Sequence, residues 1–468
     1  MPRKINLKFE KFNCPQQSFP LQKGKKFIAN RDQVGNFMMA EQMGFRFSQV
    51  VDGMIHFYEK NPNSKVEILP KIITGDYLQF KSIEVQDNEP YIIPVAVQYA
   101  PQDWADLDYS GNQVPGKKSI FELINPIYLK DLQEGNAILL IDQSVEGYNN
   151  IWLWEWFHMK CRKYNISPAA IIYATGDQSC ADDYEEWCSL HRPKDKMKVV
   201  PSISLSTFVR IHYDRFNLNF NFDELLKYKK ENADKIYLYD CTNKRPRPQR
   251  VYNFLHLFNA GLLEKGNVSM EAYSTWENWI VLRKSDCVRF GLPPDIKDKL
   301  LLTKGVLPRE AKHNYSGDLT HYFSYVERIL DDMYKNSWVS LVVESSFFEY
   351  EHSHFISEKS FKPIAAMQPF ITVGTRGTLK YFKRLGYKTF HPFIDESYDD
   401  KPDEERFLAI IETLKKIEAI EDKAAWFNSM RDILEHNHRV FTEIGSVKSI
   451  EHNAVFDYYF HYFRGKNV

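Results

Sequence analysis

The 468-residue sequence predicts an α/β protein of two domains, each built on a parallel β-sheet. Two observations support this fold class. Apolar runs typical of buried strands alternate with helical segments, and a strand–helix–strand order produces parallel sheets. The chain is also too long for one ordinary hydrophobic core. We place the N-terminal domain at residues 1–230 and the C-terminal domain at residues 235–468.

The composition is typical of a well-packed globular protein without a dominant charge. Hydrophobic residues make up 43% and aromatic residues 15%, while 61 Lys and Arg nearly balance 62 Asp and Glu. The net charge of −1 gives no positive argument for a nucleic-acid partner. The sequence has neither an apolar run of membrane-spanning length nor the apolar core of a signal peptide, so we expect a cytoplasmic protein without a membrane partner.

The cysteines are scattered and form no Cys-x-x-Cys pair. This spacing argues against a structural zinc site and against a disulfide framework, so we expect reduced thiols. The six residues are Cys14, Cys161, Cys180, Cys188, Cys241 and Cys287.

In the first domain, two predicted strands flank an aromatic helix. The strands cover residues 137–142 and 169–174, and the helix covers Asn149 to Tyr164. This order predicts a parallel pair. The topology of residues 1–130 stays open, because their apolar runs are short.

The second domain is predicted to begin with a strand over residues 236–240. We interpret the charged residues before it, 228–235, as the interdomain linker. A helix starts near Pro248 and ends by Gly261, since proline suits a first helical turn. Further along lie a patterned helix over residues 404–416 and an aromatic tail, residues 456–463, that we expect to pack back on a domain.

A strand–loop–helix–strand unit carries the strongest functional pattern. An apolar strand over residues 338–344 precedes Ser357-Glu358-Lys359-Ser360-Phe361-Lys362, which opens a short helix, and the next strand ends at Gly374. Ligands of parallel sheets bind at the carboxyl ends of the strands, where these charges are expected. A carboxylate can bind ribose hydroxyls, while lysines and the N–H groups of a helix start can hold a diphosphate. The combination suits a nucleotide-sugar.

The pattern at residues 357–362 resembles the donor-binding motif of GT-B glycosyltransferases, in particular the Thr-Glu-Lys-type motif of the fucosyltransferase-like families. It is also similar to glycosyltransferase-like proteins of phages and large viruses. The close match covers residues 338–390. The resemblance implies two Rossmann-like domains with a cleft between them, ribose binding by Glu358 and phosphate binding by Lys359. Lys362 stands where the fucosyltransferases carry an uncharged residue, and we predict it as a further donor-site cation.

Three arginines, Arg245, Arg247 and Arg250, follow the first strand of the second domain. Arginine binds phosphate oxygens bidentately, and in metal-independent glycosyltransferases such cations stabilise the departing diphosphate. A solvated basic turn or a contact to DNA phosphates is the alternative. Gly374 is predicted to let the backbone approach the donor closely. Glu344, at the end of its strand, is either a donor-sugar contact or a structural carboxylate.

The first domain is predicted to lie on the acceptor side and the second to bind the nucleotide-sugar donor, so the catalytic base is predicted in the first domain. An inverting sugar transfer needs a carboxylate or histidine that takes the proton of the acceptor hydroxyl. Glu146 and Asp142, at the carboxyl end of the first clear strand, are our candidates, and Asp177 after the next strand is in reserve. Helix capping is the alternative role for these carboxylates.

Two patterns suggest a metal. Asp106-Leu107-Asp108 matches the manganese-binding Asp-x-Asp signature of GT-A glycosyltransferases, but so short a tripeptide is common by chance. A second group alternates with aromatic residues in the manner of a solvated edge. It consists of Glu349, Glu351, His352 and His354. We therefore expect no metal and no other cofactor.

The sequence thus predicts a metal-independent glycosyltransferase, either a hexosyl- or a pentosyltransferase. It would move a sugar from a nucleotide-sugar to a hydroxyl acceptor. The lack of a membrane segment favours a hydroxymethylated pyrimidine in phage DNA as acceptor, with duplex DNA as partner and the host cytoplasm as location. The alternatives are a surface polysaccharide or glycoprotein acceptor, or a non-catalytic DNA-binding or virion protein with a degenerate fold.

Overall fold

The computed structural model divides into two compact units. The first unit is Met1–Thr207 together with Glu443–Val468, and the second is Phe208–Thr442. The residues that the structure describes are 3–7, 78–82, 90–96, 105–108, 111–124, 126–143, 147, 152–203, 206, 209–210, 213, 218–243, 247–270, 329, 331–348, 352–443, 454, 458–459 and 461–464.

The first unit is built on a six-stranded sheet in the order β2–β1–β3–β4–β5–β6, and all its neighbouring strands run parallel. The middle strands are mainly apolar, as expected when helices cover both faces of a sheet. In register, Ile92 lies opposite Ile138, and Ile141 lies opposite Tyr173. The strands are β1 (Arg3–Leu7), β2 (Leu78–Ser82), β3 (Tyr91–Ala96), β4 (Ala137–Gln143), β5 (Ile171–Thr175) and β6 (Lys198–Pro201).

The described helices of the first unit share one hydrophobic core with this sheet. Phe157 of the aromatic helix packs on Tyr173 of β5, with ring centroids 5.3 Å apart. The predicted strand–helix–strand order is confirmed here. The helices are α1 (Ile120–Leu123), α2 (Pro126–Glu134), α3 (Trp152–Tyr164) and α4 (Cys180–His191).

The second unit has a four-stranded parallel sheet in the order β10–β9–β7–β8. In both sheets the first strand lies between the second and the third, so each has a point where the strand order reverses. In the second sheet this point lies between β7 and β9. The two-unit, Rossmann-like α/β fold class predicted from the sequence is confirmed. The strands are β7 (Tyr237–Thr242), β8 (Gly266–Ser269), β9 (Ser337–Val343) and β10 (Phe370–Val373).

The described helices of the second unit confirm the predicted helix near Pro248 and the patterned helix near residue 410. No helix in the described part of the chain is long and apolar enough to cross a membrane. The helices are α5 (Phe222–Glu231), α6 (Pro248–Asn259), α7 (Asp331–Lys335), α8 (Glu358–Ala365), α9 (Thr378–Arg384), α10 (Asp403–Glu418), α11 (Lys423–Ser429) and α12 (Arg431–Glu443).

The two units differ from the predicted boundaries at two places. The segment interpreted as a linker belongs to the second unit, because it continues α5, whose Phe222 stacks on Phe427 at 5.4 Å. The aromatic tail belongs to the first unit: the Tyr458 hydroxyl donates to the Ala169 carbonyl at 2.8 Å. The prediction that this tail packs back on a domain is confirmed.

Candidate functional site

The carboxyl edge of the second sheet brings two predicted groups of residues to neighbouring strand ends. β7 and β9 pair side by side, and each is followed by a helix start. Helix α6 begins at Pro248 with Arg247 as its N-cap residue, and α8 begins at Glu358 with Ser357 as its N-cap residue. Ligands of open parallel sheets bind outside the strand ends where the strand order reverses. The geometry therefore makes this edge the candidate site.

Glu344 is fully buried and fixes the start of α8. Its Oε1 accepts the backbone N–H of Ser357 at 3.0 Å and the hydroxyl of Ser360 at 2.6 Å. Its Oε2 accepts the hydroxyl of Ser357. Three donors thus converge on the carboxylate of Glu344, and these contacts fit the structural role considered for this residue. A direct contact between Glu344 and a sugar stays a prediction.

The same strand end also holds the start of α6. The Gln249 amide donates to the backbone carbonyls of Glu344, at 3.1 Å, and of Ser345, at 2.6 Å. Arg247 Nη1 donates to the Ser345 carbonyl at 3.5 Å. Sequence reasoning missed Gln249, because an amide in the first turn of a helix gives no signal of its distant partner. Residues 344–345 therefore anchor both helix starts.

Arg250 lies in the first turn of α6 and is only 5% exposed. Its charge acts on the buried thiol of Cys241 on β7. Burial raises the pKa of that thiol to about 12, and the Arg250 charge opposes the shift. Arg250 and Arg247 thus both lie by the carboxyl ends of β7 and β9. Arg245 lies outside the described residues.

Glu358 and Lys359 form an ion pair in the first turn of α8. Lys359 Nζ lies 2.8 Å from Glu358 Oε1 and 3.1 Å from Ser357 Oγ. The side chains are 9% and 18% exposed, respectively. Burial by itself raises the pKa of Glu358, but the charges of Lys359 and Lys362 outweigh it and hold the pKa below its ordinary value. Glu358 is therefore ionised at neutral pH and can accept hydrogen bonds from hydroxyl groups.

Lys362 follows Glu358 by four residues, which places both on one face of α8. The short helix predicted to open at residues 357–362 is confirmed. Pro363 is the sixth residue of the helix and so lies in its second turn. Its ring nitrogen cannot donate to the carbonyl of Lys359, and α8 ends within two further residues.

Gly374 directly follows β10, and its surroundings explain the glycine. A Cβ atom there would lie 3.1 Å from Thr378 Oγ1 and 3.2 Å from Thr372 Cγ2. The tight connection from β10 to α9 therefore restricts this position to a small residue. Close approach of a donor to Gly374 stays a prediction.

The predicted catalytic carboxylates belong to the first unit. Asp142 is the sixth residue of β4 and pairs with Ala174 of β5, but its side chain lies outside the described part. Glu146 also lies outside the described residues. Asp177 is fully buried, and its Oδ1 accepts the backbone N–H and the hydroxyl of Ser179, each at 3.0 Å. These contacts fix the turn before α4.

The carboxylates of Asp106 and Asp108 both accept hydrogen bonds from donors of the protein itself. Asp106 Oδ1 accepts the Trp156 indole N–H at 2.7 Å, and its Oδ2 accepts Lys160 at 2.7 Å and Gln113 at 2.9 Å. Asp108 accepts the backbone N–H of Asn112 at 2.9 Å. The carboxylate of Asp106 thus serves the core of the first unit, which does not fit a manganese ligand.

In the described part of the chain, the side chains of the second metal pattern do not gather around a common point where an ion could bind. His354 donates from Nε2 to the Arg376 carbonyl at 2.9 Å and lies against the Tyr381 ring. Glu349 and Glu351 lie outside the described residues. Among the residues that the structure describes, no group of three or more His, Cys, Asp or Glu side chains could hold a metal ion.

The sequence matches no protein-family model and no curated protein. Solved structures with a similar fold include a glycosyltransferase from Rickettsia africae, at 9% identity and TM-score 0.39, covering 100% of each chain. Trehalose-6-phosphate synthase from Burkholderia multivorans has 10% identity and TM-score 0.33, covering 72% of this chain and 79% of its own. Anabaena HepE, solved with UDP and glucose, has 9% identity and TM-score 0.29, covering 72% of this chain and 80% of its own. Because these three TM-scores are below 0.5, the function is inferred from the site alone.

Proposed function

We propose that this chain is a glycosyltransferase of GT-B type that binds a nucleotide-sugar at the carboxyl edge of its second sheet. The observation that carries the proposal is the anchoring of two charged helix starts on one strand end, residues 344–345. One start carries Arg247 and Arg250, and the other carries Glu358 and Lys359. Guanidinium and ammonium groups suit a diphosphate, and an ionised carboxylate suits ribose hydroxyls.

In the proposed reaction, the bond between the anomeric carbon and the diphosphate oxygen breaks, and the acceptor oxygen forms the new bond. Negative charge grows on the departing diphosphate. Lys359, Lys362 and the arginines of α6 would stabilise that charge, so the proposed reaction uses no metal ion. Glu358 would hold the ribose and thereby orient the donor.

The acceptor hydroxyl must lose its proton as it attacks. Glu146 and Asp142 are the proposed bases: Asp142 is the last but one residue of β4, and Glu146 follows it by four residues in the sequence. Losing a general base slows transfer by about 10²–10⁴-fold. If one of them acts in this way, Glu146→Gln or Asp142→Asn will lower kcat by that factor and leave donor affinity unchanged.

The proposed acceptor is a hydroxymethylated pyrimidine in phage DNA. Exposed basic residues next to the site support it: Arg376 follows β10, and Lys380 and Arg384 lie one turn apart on α9. A local basic patch is compatible with a neutral total charge. The test is transfer to a duplex that contains 5-hydroxymethylcytosine, followed by mass spectrometry of the nucleosides. The unmodified duplex is the control, and labelled polysaccharide in its place would point to the alternative acceptor.

Donor binding tests the core of the proposal. We expect one of the UDP-, GDP-, ADP- and CMP-linked sugars to bind in isothermal titration calorimetry, with the same affinity in EDTA as in manganese. Lys359→Ala should weaken this binding at least about tenfold, because a charge-assisted contact to the diphosphate is lost.

Lys415→Ala is the matched control. Lys415 also forms an ion pair on a helix of the second unit, with Glu412 at 2.6 Å, but both side chains are largely exposed. Its removal should leave donor affinity unchanged. Absence of binding by all four donors would overturn the proposed function, and binding only in manganese would overturn its metal-independent form.

A further inference from the structure

The hydrogen bonds around Ser357 have a fixed direction. A serine hydroxyl has one proton to donate and two lone pairs that accept. The proton is directed to Glu344, a fully buried carboxylate on which two other donors also converge. The oxygen of Ser357 is therefore available as an acceptor. It receives the backbone N–H of Lys359 at 3.4 Å and the Lys359 ammonium at 3.1 Å.

This arrangement aims the ammonium group of Lys359. An ammonium group has three N–H donors. Within the described part of the chain, Lys359 directs one to Ser357 and one to Glu358 Oε1. Two fixed contacts set the direction of the third N–H, which can reach a phosphate oxygen. A lysine side chain held in advance loses less conformational entropy when the ligand binds.

We propose that Glu344 is a positioning residue that sets Lys359 for the donor diphosphate through the hydroxyl of Ser357. The proposal rests on the function proposed above. It also means that the fully buried Glu344 contributes to donor binding, although its carboxylate is directed at helix α8.

The substitution Glu344→Gln separates this role from simple packing. Glutamine has nearly the same shape, and its oxygen can still accept from the Ser357 N–H and from Ser360. Its amide N–H₂ group, however, would donate to Ser357 Oγ. The hydroxyl would then lose its acceptor, and its oxygen would be shared between the new amide and the Lys359 ammonium. The contact that aims Lys359 would weaken while the helix start remains held.

The experiment titrates UDP, GDP and ADP into the full chain and continues with the tightest binder. We expect Glu344→Gln to raise the Kd about tenfold, since it weakens a hydrogen bond to a charged group. In a Lys359→Ala background the same substitution should change the Kd less than twofold, because Glu344 acts through Lys359. A double-mutant cycle measures this coupling directly.

Ser360→Ala is the matched control. It removes one donor from Glu344 but leaves Ser357 and Lys359 in place, so the Kd should stay within about twofold while the thermal midpoint falls. Circular dichroism confirms that each variant folds. If the wild-type chain binds a diphosphate and Glu344→Gln binds it equally well, the positioning role is overturned alone. An equal loss of affinity in both backgrounds would also overturn it, whereas a wild-type chain that binds neither these three nucleotides nor any of the four nucleotide-sugars would overturn the proposed function itself.

Discussion

Lys160 holds two carboxylates together in the first unit, and its removal gives the sharpest stability prediction. Its Nζ lies 2.7 Å from Asp106 Oδ2 and 3.0 Å from Glu122 Oε1, and its side chain has no exposed surface. Breaking a buried ion pair by removing one partner costs about 3–5 kcal/mol, because the other charge stays buried. We predict a loss of this size in the free energy of unfolding of the Lys160→Met variant.

The contacts that remain in the variant place the loss near the lower end of that range. Glu122 is 22% exposed and keeps hydrogen bonds from Ser119 and Tyr164. Asp106, at 3% exposed, would keep the neutral donors Trp156 and Gln113. Each hydrogen bond to a charged group contributes about 1.5–3 kcal/mol. The loss should therefore come mainly from Asp106 and amount to about 3 kcal/mol.

Urea unfolding followed by tryptophan fluorescence measures this loss, because the Trp156 indole donates directly to Asp106. With a typical urea dependence of about 1–3 kcal/mol per molar, the midpoint should fall by about 1–3 M. Lys163→Met is the matched control: Lys163 contacts the same Glu122 oxygen at 3.2 Å but is 52% exposed. An exposed pair contributes at most about 1 kcal/mol. Equal losses in the two variants would refute the reasoning.

The same ion pair predicts a pH dependence. Burial raises the pKa of Glu122, but hydrogen bonds from Ser119, Tyr164 and Lys160 outweigh it and bring the pKa to about 2, below the value of 4.5 for a free glutamate. A carboxyl group with a lowered pKa stabilises the fold fully above its unfolded pKa and loses this effect as the pH falls. Burial raises the pKa of Asp106 as well, but hydrogen bonds from Lys160, Trp156 and Gln113 outweigh it and hold the pKa below its ordinary value. As the two carboxylates that Lys160 contacts become protonated, the difference in unfolding free energy between wild type and Lys160→Met should shrink when the pH falls below 4.5. A constant difference would contradict the assignment.

Three further predictions concern the second unit. Burial lowers the pKa of Lys229 to about 7 against 10.5 for a free lysine, with Asp240 opposing the shift. Because the unfolded chain then binds more protons than the folded one, wild-type stability in thermal unfolding should rise from pH 7 toward 10.5, and Lys229→Met should lack this rise. Gly266→Ala would place a Cβ against the Tyr239 ring, so chemical denaturation should show a loss of about 1–3 kcal/mol that Tyr239→Leu relieves. Glu358→Gln should weaken donor binding about tenfold in calorimetry. The affinity of the wild type for the donor should stay level from about pH 8 to pH 5, because the lowered pKa keeps Glu358 ionised there. A drop in affinity within that range would contradict the lowered pKa.

Local patterns in the sequence predicted most of the elements. The strand predicted over residues 338–344 is observed as Ser337–Val343, and the helix predicted from Pro248 ends at Asn259. Apolar runs and proline signals act within a few residues of one another, so they can be read from one segment. The charged residues 228–235 were misinterpreted as a linker for the converse reason. The Lys229 ammonium is buried and donates to the Tyr334 carbonyl and to the Gln368 side chain, both more than a hundred residues away. Nothing in the segment around Lys229 indicates these partners.

The sequence by itself determined the chemistry available at the candidate site: a carboxylate and lysines at the start of one helix, and arginines at the start of another. Only the tertiary structure decided how these groups are held. Glu344 reaches Ser357 across a loop, and Gln249 reaches Ser345 from a distant part of the chain. These contacts exist because the strand order places β7 beside β9. Strand order depends on the packing of whole crossover units, and no short segment of sequence specifies that packing.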